Sequence, residues 1–286
     1  MKVYDVPTLV DKMLEKKYLL DMGKGSISKR FNVTKGEVIA AKRIAKNIIM
    51  FGTEYHPNDV SFRKIYRRKS QNILVIGDTH VPYEKEGYLE FCKEQYDKYN
   101  CDTVVHIGDL IDSHATSRHP SVPEAYSPGD ELYYTKLKLK SWYKTFPNMK
   151  VVIGNHDIRA YKIAADSKIS TKWLRGFSDV LGVPTWEFQE YYEINDTIYL
   201  HGMGTSGVTS AYRRALNLGQ NVVMGHLHSD ASILYHKLPN KTIWGMIVGC
   251  GVDSNSYGMN YSKNDVKKSI ISCGIVVDNQ PIIIVM

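Results

Sequence analysis

Residues 73–80 read Ile-Leu-Val-Ile-Gly-Asp-Thr-His: four apolar residues, a glycine, then two metal-type ligands two positions apart. A short apolar run closed by glycine reads as a buried strand that ends where Asp78 and His80 begin. The pattern returns four times. Residues 103–107 run into Gly108-Asp109-Leu110-Ile111-Asp112, and residues 151–153 into Gly154-Asn155-His156-Asp157. Residues 198–200 precede His201-Gly202, and residues 222–224 precede Gly225-His226-Leu227-His228. Helical stretches between the runs indicate a layered α/β body. Later strand-like runs at 243–248, 270–277 and 282–285 are expected to add a second, more antiparallel sheet.

Ligands bind at the carboxyl ends of strands in α/β sheets, so the five loops should converge. Glycine at each junction is expected to let the backbone turn sharply and carry the next side chain to the crevice. Carboxylate, carboxamide and imidazole donors without thiolate suit a hard-to-borderline divalent ion. Asp78, His80, Asp109, Asn155, His201, His226 and His228 are too many for one tetrahedral site. They suit two ions sharing a carboxylate, an arrangement that clamps the attacking and leaving oxygens of a phosphate ester.

The ordered set DxH, GDxxD, GNHD, H and GHxH resembles the calcineurin-like metallophosphoesterase superfamily over about residues 72–286. The resemblance implies a layered β-sandwich flanked by helices. It implies a first ion on Asp78, His80, Asp109 and His228, and a second on Asp109, Asn155, His201 and His226. A bridging hydroxide would attack phosphorus, His156 would protonate the leaving oxygen, and Asp112 would hold the His156 ring. The ions implied are Mn²⁺, with Zn²⁺, Fe and Ni²⁺ as alternatives. Asp157 reads as a loop brace on backbone amides. One departure narrows the substrate: protein phosphatases of the superfamily carry arginine straight after GDxxD, where this chain has Ser113.

Two loops are candidate substrate contacts. Residues 113–128 follow the GDxxD motif and carry His114, Arg118, His119 and Tyr126. The glycine-rich residues 202–207 precede a helix with Arg213 and Arg214, a candidate anion site. His106, inside an apolar strand, reads as a core residue or as one standing behind the site residues.

Outward toward the N-terminus the pattern changes. Residues 8–20 carry a helical apolar stripe, and residues 26–38 read as a helix, a left-handed turn at Asn32 and a second helix. Thr34 and Glu37 form a capping box at the second start. Ile27, Phe31, Val33 and Val38 should pack the two helices together. This small all-α domain, residues 1–50, is helix-turn-helix-like, and its second helix offers Lys35, Lys42, Arg43 and Lys46 to DNA. A basic linker, 51–71, with Arg63, Lys64, Arg67, Arg68 and Lys69 leads to the phosphoesterase domain, 72–286.

Charge supports a nucleic-acid partner. Residues 1–71 hold 16 Lys and Arg against 7 Asp and Glu, while the other 215 residues hold 21 against 23. The whole basic excess therefore sits in the first quarter of the chain. Four cysteines without a CxxC pair, no signal-peptide core and no long apolar run lead to the expectation of a cytoplasmic protein of a bacterial or bacteriophage-infected cell, without membrane contact. The reading is a metal-dependent nuclease acting on DNA, with homo-oligomerisation open. The alternatives are a phosphomonoesterase or cyclic-nucleotide diesterase whose helical head serves assembly, and a DNA-binding regulator with an inert enzyme fold.

Overall fold

A computed structural model of the chain describes residues 6–51, 71–117, 125–253 and 268–286, and within 6–51 the side chains of 9–42 and 45. The basic cluster at 63–69 and the loop residues Arg118 and His119 lie outside the described residues. The chain divides into two units, Met1–Ser70 and Gln71–Met286.

The first unit holds α1 (Val6–Glu15), α2 (Lys24–Phe31) and α3 (Lys35–Phe51). Asn32 ends α2 in the left-handed conformation, with φ 53° and ψ 51°. Thr34 and Glu37 close a reciprocal capping box: the Thr34 amide donates to Glu37 Oε2 at 2.7 Å and the Glu37 amide to Thr34 Oγ1 at 3.2 Å. Ile27, Phe31, Val33 and Val38 are buried together with Leu9, Met13 and Leu19. Lys35 is exposed, whereas the Lys42 ammonium turns inward and donates to the carbonyls of Leu20 (2.7 Å) and Met22. It thereby ties α3 to the turn before α2. The side chains of Arg43 and Lys46 lie outside the described residues.

The second unit holds β1 (Ile73–Ile76), α4 (Tyr88–Lys98), β2 (Thr103–His106), α5 (Pro128–Thr145), β3 (Lys150–Val152), α6 (Arg159–Asp166) and α7 (Phe177–Leu181). There follow β4 (Glu187–Gln189), β5 (Tyr191–Ile194), β6 (Thr197–Leu200), α8 (Ser210–Leu218), β7 (Asn221–Met224), β8 (Ala231–Lys237), β9 (Thr242–Val248), β10 (Ser272–Val277) and β11 (Gln280–Val285). One sheet runs β11-β10-β1-β2-β3-β4 and the other β5-β6-β7-β9-β8. The C-terminal strands β10 and β11 do not form a second sheet, as their sequence suggested. They pair antiparallel onto the edge of β1, in the register Ile73↔Val276, and place Val276 and Ile275 in the same two cores as β1. The second sheet is built around β6, β7 and β9 instead.

Strand alternation builds the layers. Ile73 and Val75 face the other sheet and meet Tyr199, Val223, Trp244 and Met246 between the sheets. Leu74 and Ile76 face the opposite way, onto Tyr88, Cys92, Leu139 and Trp142 of α4 and α5. Val222 and Met224 pack with Ala211 and Ala215 of α8. The result is a two-sheet sandwich with helices on both outer faces. β1, β2 and β3 are parallel to one another, and β6 is parallel to β7. The five motifs therefore leave two different sheets and meet at one end of the sandwich. Among the described residues no helix is long and apolar enough to cross a membrane.

Candidate metal centre

The loops after β1 and β2 are bonded side by side: the His80 amide donates to Asp109 O at 3.0 Å and the Val81 amide to Leu110 O at 2.9 Å. His80, Asp109 and His226 all have positive φ, 49°, 49° and 69°. Non-glycine residues held there carry backbone strain, which the surrounding hydrogen bonds overcome.

The seven motif residues converge. His228 Nε2 lies 3.2 Å from Asp78 Oδ2 and 3.2 Å from His80 Nε2. His201 Nε2 lies 3.1 Å from Asp109 Oδ2, 3.1 Å from Asn155 Oδ1 and 3.3 Å from His226 Nδ1. Asp109 stands between the two groups, since Oδ2 is also 3.7 Å from His80 Nε2. Donor atoms of Asp78, His80 and His228 lie within 4.8 Å of one another, as do those of Asp109, His201 and His226.

The proton arithmetic fits a cation in each group. His201 Nδ1 faces the Ile107 carbonyl at 3.1 Å, so that nitrogen carries the proton and Nε2 presents a lone pair. That lone pair points at a carboxylate oxygen, a carboxamide oxygen and another imidazole nitrogen. His80 repeats the arrangement: Nδ1 donates to Asp112 Oδ1 at 2.7 Å, and Nε2 faces His228. Asp78 Oδ1, fully buried, has no hydrogen-bond partner among the described residues. Clustered lone pairs and an orphaned carboxylate oxygen are what a divalent ion satisfies.

Charge without the ion is balanced by protons. Burial pushes the Asp109 carboxyl up, but the imidazoles of His201, His156 and His80 outweigh it and hold the acid well below the carboxylate range. Asp78 is likewise driven up by burial and brought below its usual value by His201 and His228. Burial lowers His201, and Asp109 and Asp78 reverse this and raise it to about 10. His80 and His226 move down, through burial and then neighbouring imidazoles. The carboxylates are thus ionised and the His80 and His226 rings neutral, as metal binding requires, whereas without an ion His201 carries a second proton, on Nε2, which an ion would displace.

The junction glycines serve less for turning than the sequence suggested. Gly108 and Gly202 do have positive φ, 108° and 104°, but Gly77, Gly154 and Gly225 do not. At Gly154 a Cβ would land on Asp109 Oδ1, and at Gly225 on Asp78 Oδ1. These glycines leave room for the two carboxylates.

The sequence of residues 71–267 matches the profile of the calcineurin-like phosphoesterases. The chain belongs to that family. It is 28% identical over 203 residues to the gene 54 protein of Mycobacterium phage L5, covering 63% of this chain and 79% of that one. Among solved structures, vacuolar protein sorting 29 of Cryptosporidium parvum aligns at 14% identity and TM-score 0.39, over 76% of this chain and 96% of that one. YfcE, a phosphoesterase from E. coli, aligns at 13% and 0.36 (73% and 89%), and the Pseudomonas putida nuclease MPE at 13% and 0.33 (74% and 87%).

In this calcineurin-like phosphoesterase Asp112 meets two rings. Its Oδ1 lies 2.7 Å from His80 Nδ1 and 3.1 Å from His156 Nδ1, while the backbone carbonyl of Asp112 accepts from the same His156 nitrogen at 2.8 Å. His156 is anchored again by its amide, which donates to Asp109 Oδ1 at 2.8 Å. Its Nε2 faces the centre, 4.0 Å from Asp109 Oδ2. Burial lowers the His156 ring and Asp109 and Asp112 lift it above its ordinary value. Asp157 accepts from the amides of Ile111 (3.1 Å) and Gly154 (2.8 Å), the bracing role read from sequence.

The remaining candidates scatter. His114 is buried in the wall, with Nδ1 3.8 Å from Asp112 Oδ2 and its amide donating to Glu131 at 2.7 Å. Arg213 donates to Ser206 O at 2.8 Å and lines a separate depression of about 430 Å³ with Gly204, Thr205 and Arg214. None of the seven donors lines it. Sequence reasoning missed Glu131, which caps the turn after GDxxD, and Arg159, whose Nη2 is 3.0 Å from His156 Nε2. A basic residue three positions beyond the motif histidine was the available signal for Arg159.

Proposed function

We propose that this chain hydrolyses phosphodiester bonds of nucleic acid, DNA foremost, with two divalent cations held by Asp78, His80, Asp109, Asn155, His201, His226 and His228. The observation that carries the reading is the pair of donor groups meeting at Asp109, which lies 3.1 Å from His201 Nε2 on one side and 3.7 Å from His80 Nε2 on the other. Such a pair of ions lowers the pKa of bound water to about 7 and neutralises charge on the reacting phosphate.

The chain's own groups supply positioning and a proton. His156 is held from three sides through its amide and Nδ1, which aims Nε2 at the centre, where Arg159 Nη2 lies 3.0 Å from it. A proton on that nitrogen passes to the departing oxygen as the ester bond breaks. Asp112 keeps the Nδ1 proton in place and thereby fixes the tautomer. The basic excess of residues 1–71 favours a polyanionic strand over a small metabolite, and Mn²⁺ is the ion we favour.

An Mn²⁺-dependent assay on bis-p-nitrophenyl phosphate, p-nitrophenyl phosphate and single- and double-stranded DNA tests this. Turnover of the diester and of at least one DNA form is expected. Strong monoester turnover without diester or DNA cleavage would overturn the reading.

A further inference from the structure

Ser113 follows Asp112 where a phosphate-binding arginine would stand in a protein phosphatase, yet an arginine reaches the same backbone from another segment. Arg159 opens α6 and folds its guanidinium over the 112–113 turn. Nη1 donates to Asp112 O at 2.9 Å, and Nη2 lies 3.0 Å from His156 Nε2. Its hydrogen-bond partners are the carbonyls of Asp112 and Ser113 and Nε2 of His156, and among the described residues no carboxylate forms an ion pair with it. A half-buried guanidinium whose hydrogen bonds all run to uncharged acceptors, with Glu131 feeling its charge but forming no ion pair with it, can exchange those acceptors for the oxygens of an anion.

The cleft in front of it points to which anion. A cavity of about 380 Å³ is lined by Thr116, Ser117, Asn155, Arg159, Lys162 and Asp166 among others. Asn155 belongs to the metal centre, so the cleft opens onto it. Lys162 stands three residues beyond Arg159, on the same face of α6 and about 5–6 Å away between Cβ atoms. It is exposed, and its ammonium has no hydrogen bond or ion pair among the described residues. Asp166, one further turn along, ends the basic stretch.

We propose that Arg159 clamps the non-bridging oxygens of the reacting phosphate and that Lys162 holds the neighbouring phosphate of the same strand. The substrate is then a polynucleotide strand lying along α6, with room for one flanking phosphate before Asp166. In moving to a phosphate, Arg159 also uncovers Nε2 of His156. This rests on the phosphodiesterase reading above.

The test uses the Mn²⁺-loaded full chain and p-nitrophenyl phosphodiesters of thymidine, 5′- and 3′-linked, each with and without a second phosphate on the other hydroxyl. Wild type should prefer the two-phosphate member of at least one pair by about tenfold in kcat/KM, the worth of one charge-assisted hydrogen bond. Lys162→Gln should abolish that preference. Arg159→Gln should lower kcat/KM on every substrate by about 10- to 100-fold and weaken inhibition by inorganic phosphate similarly, and Arg159→Lys should recover part of both. A preference that survives Lys162→Gln overturns the flanking subsite. Unchanged phosphate inhibition in a folded Arg159→Gln protein overturns the clamp and leaves Arg159 as a brace for His156. Diester turnover without these variant effects sinks this proposal alone, whereas absent diester turnover by the wild type sinks the phosphodiesterase reading with it.

Discussion

The carboxylate of Asp112 lies 2.7 Å from Nδ1 of His80, closer than its 3.1 Å to Nδ1 of His156. A carboxylate behind a ligand histidine fixes the ring tautomer and raises its basicity, and its loss costs about 10- to 100-fold in metal affinity. Asp112→Asn should therefore weaken metal binding by about that factor as well as slow turnover. Metal titration of the variant checks this. Wild-type metal affinity would confine Asp112 to His156, the role the family resemblance implied.

His156→Ala should retain metal, because none of the five contacts of His201 Nε2 and His228 Nε2 within the two donor groups runs through it. Turnover should fall by roughly 10²–10⁴, the range for a positioned proton donor. The loss should shrink for esters with strongly acidic leaving groups, which need little protonation. A loss equal across leaving groups would rule out proton donation by this ring.

Gly154→Ala places a methyl group on the Asp109 carboxylate without asking the backbone for a left-handed conformation. We expect metal affinity to fall more than about tenfold, since a displaced ligand loses coordination geometry. Gly176→Ala is the control, since a Cβ there meets nothing within 4 Å. Equal metal affinity in the two variants would show that the glycine does not shape the site.

The centre was legible because each donor directly follows a strand, and strands announce themselves by apolar runs. Asp78, Asp109, Asn155, His201 and His226 all follow within three residues of one. Arg159 was not legible, because a helix-borne cation is recognised only once folding brings it back over the 112–113 turn. Glu131 was hidden for the same reason, 19 residues from Asp112 and joined to it through the amides of His114 and Ala115. The placement of β10 also escaped a local reading. Alternating burial says which residues of a strand face a core but not which strand it pairs with. β4, β5 and β8 were missed because their residues are largely exposed or half-exposed, which blurs the apolar run.

Tyr199 offers a test of the core away from the site. It is fully buried between the sheets, and its hydroxyl has no hydrogen-bond partner among the described residues. An unpaired buried hydroxyl costs about 1–3 kcal/mol. Tyr199→Phe should therefore raise stability, by about 2–4 °C in Tm for each kcal/mol gained. A Tm lower than wild type by calorimetry would mean that the hydroxyl has a partner in solution.

Removing residues 1–70 separates the role of the basic head from that of the metal centre. All seven donors and His156 belong to the second unit, which has its own cores between and outside the sheets. Hydrolysis of small diesters should thus be nearly unchanged. DNA binding should weaken, because the basic excess goes with the deleted segment. If that segment neutralises about five phosphates, wild-type affinity should fall roughly 500-fold between 50 and 200 mM salt, and truncation should flatten the slope. Within the head, Lys35 should matter more than Lys42, because Lys42 is engaged by the carbonyls of Leu20 and Met22. Lys35→Gln should lower the salt slope by about one, whereas Lys42→Gln should act mainly by loosening α3 and lowering Tm. Fluorescence anisotropy of labelled duplex across a salt series, with gel filtration of both proteins, reads the result. Unchanged DNA affinity together with loss of an oligomer on truncation would make the head an assembly element, and the case for DNA would then rest on the metal centre and the α6 cleft.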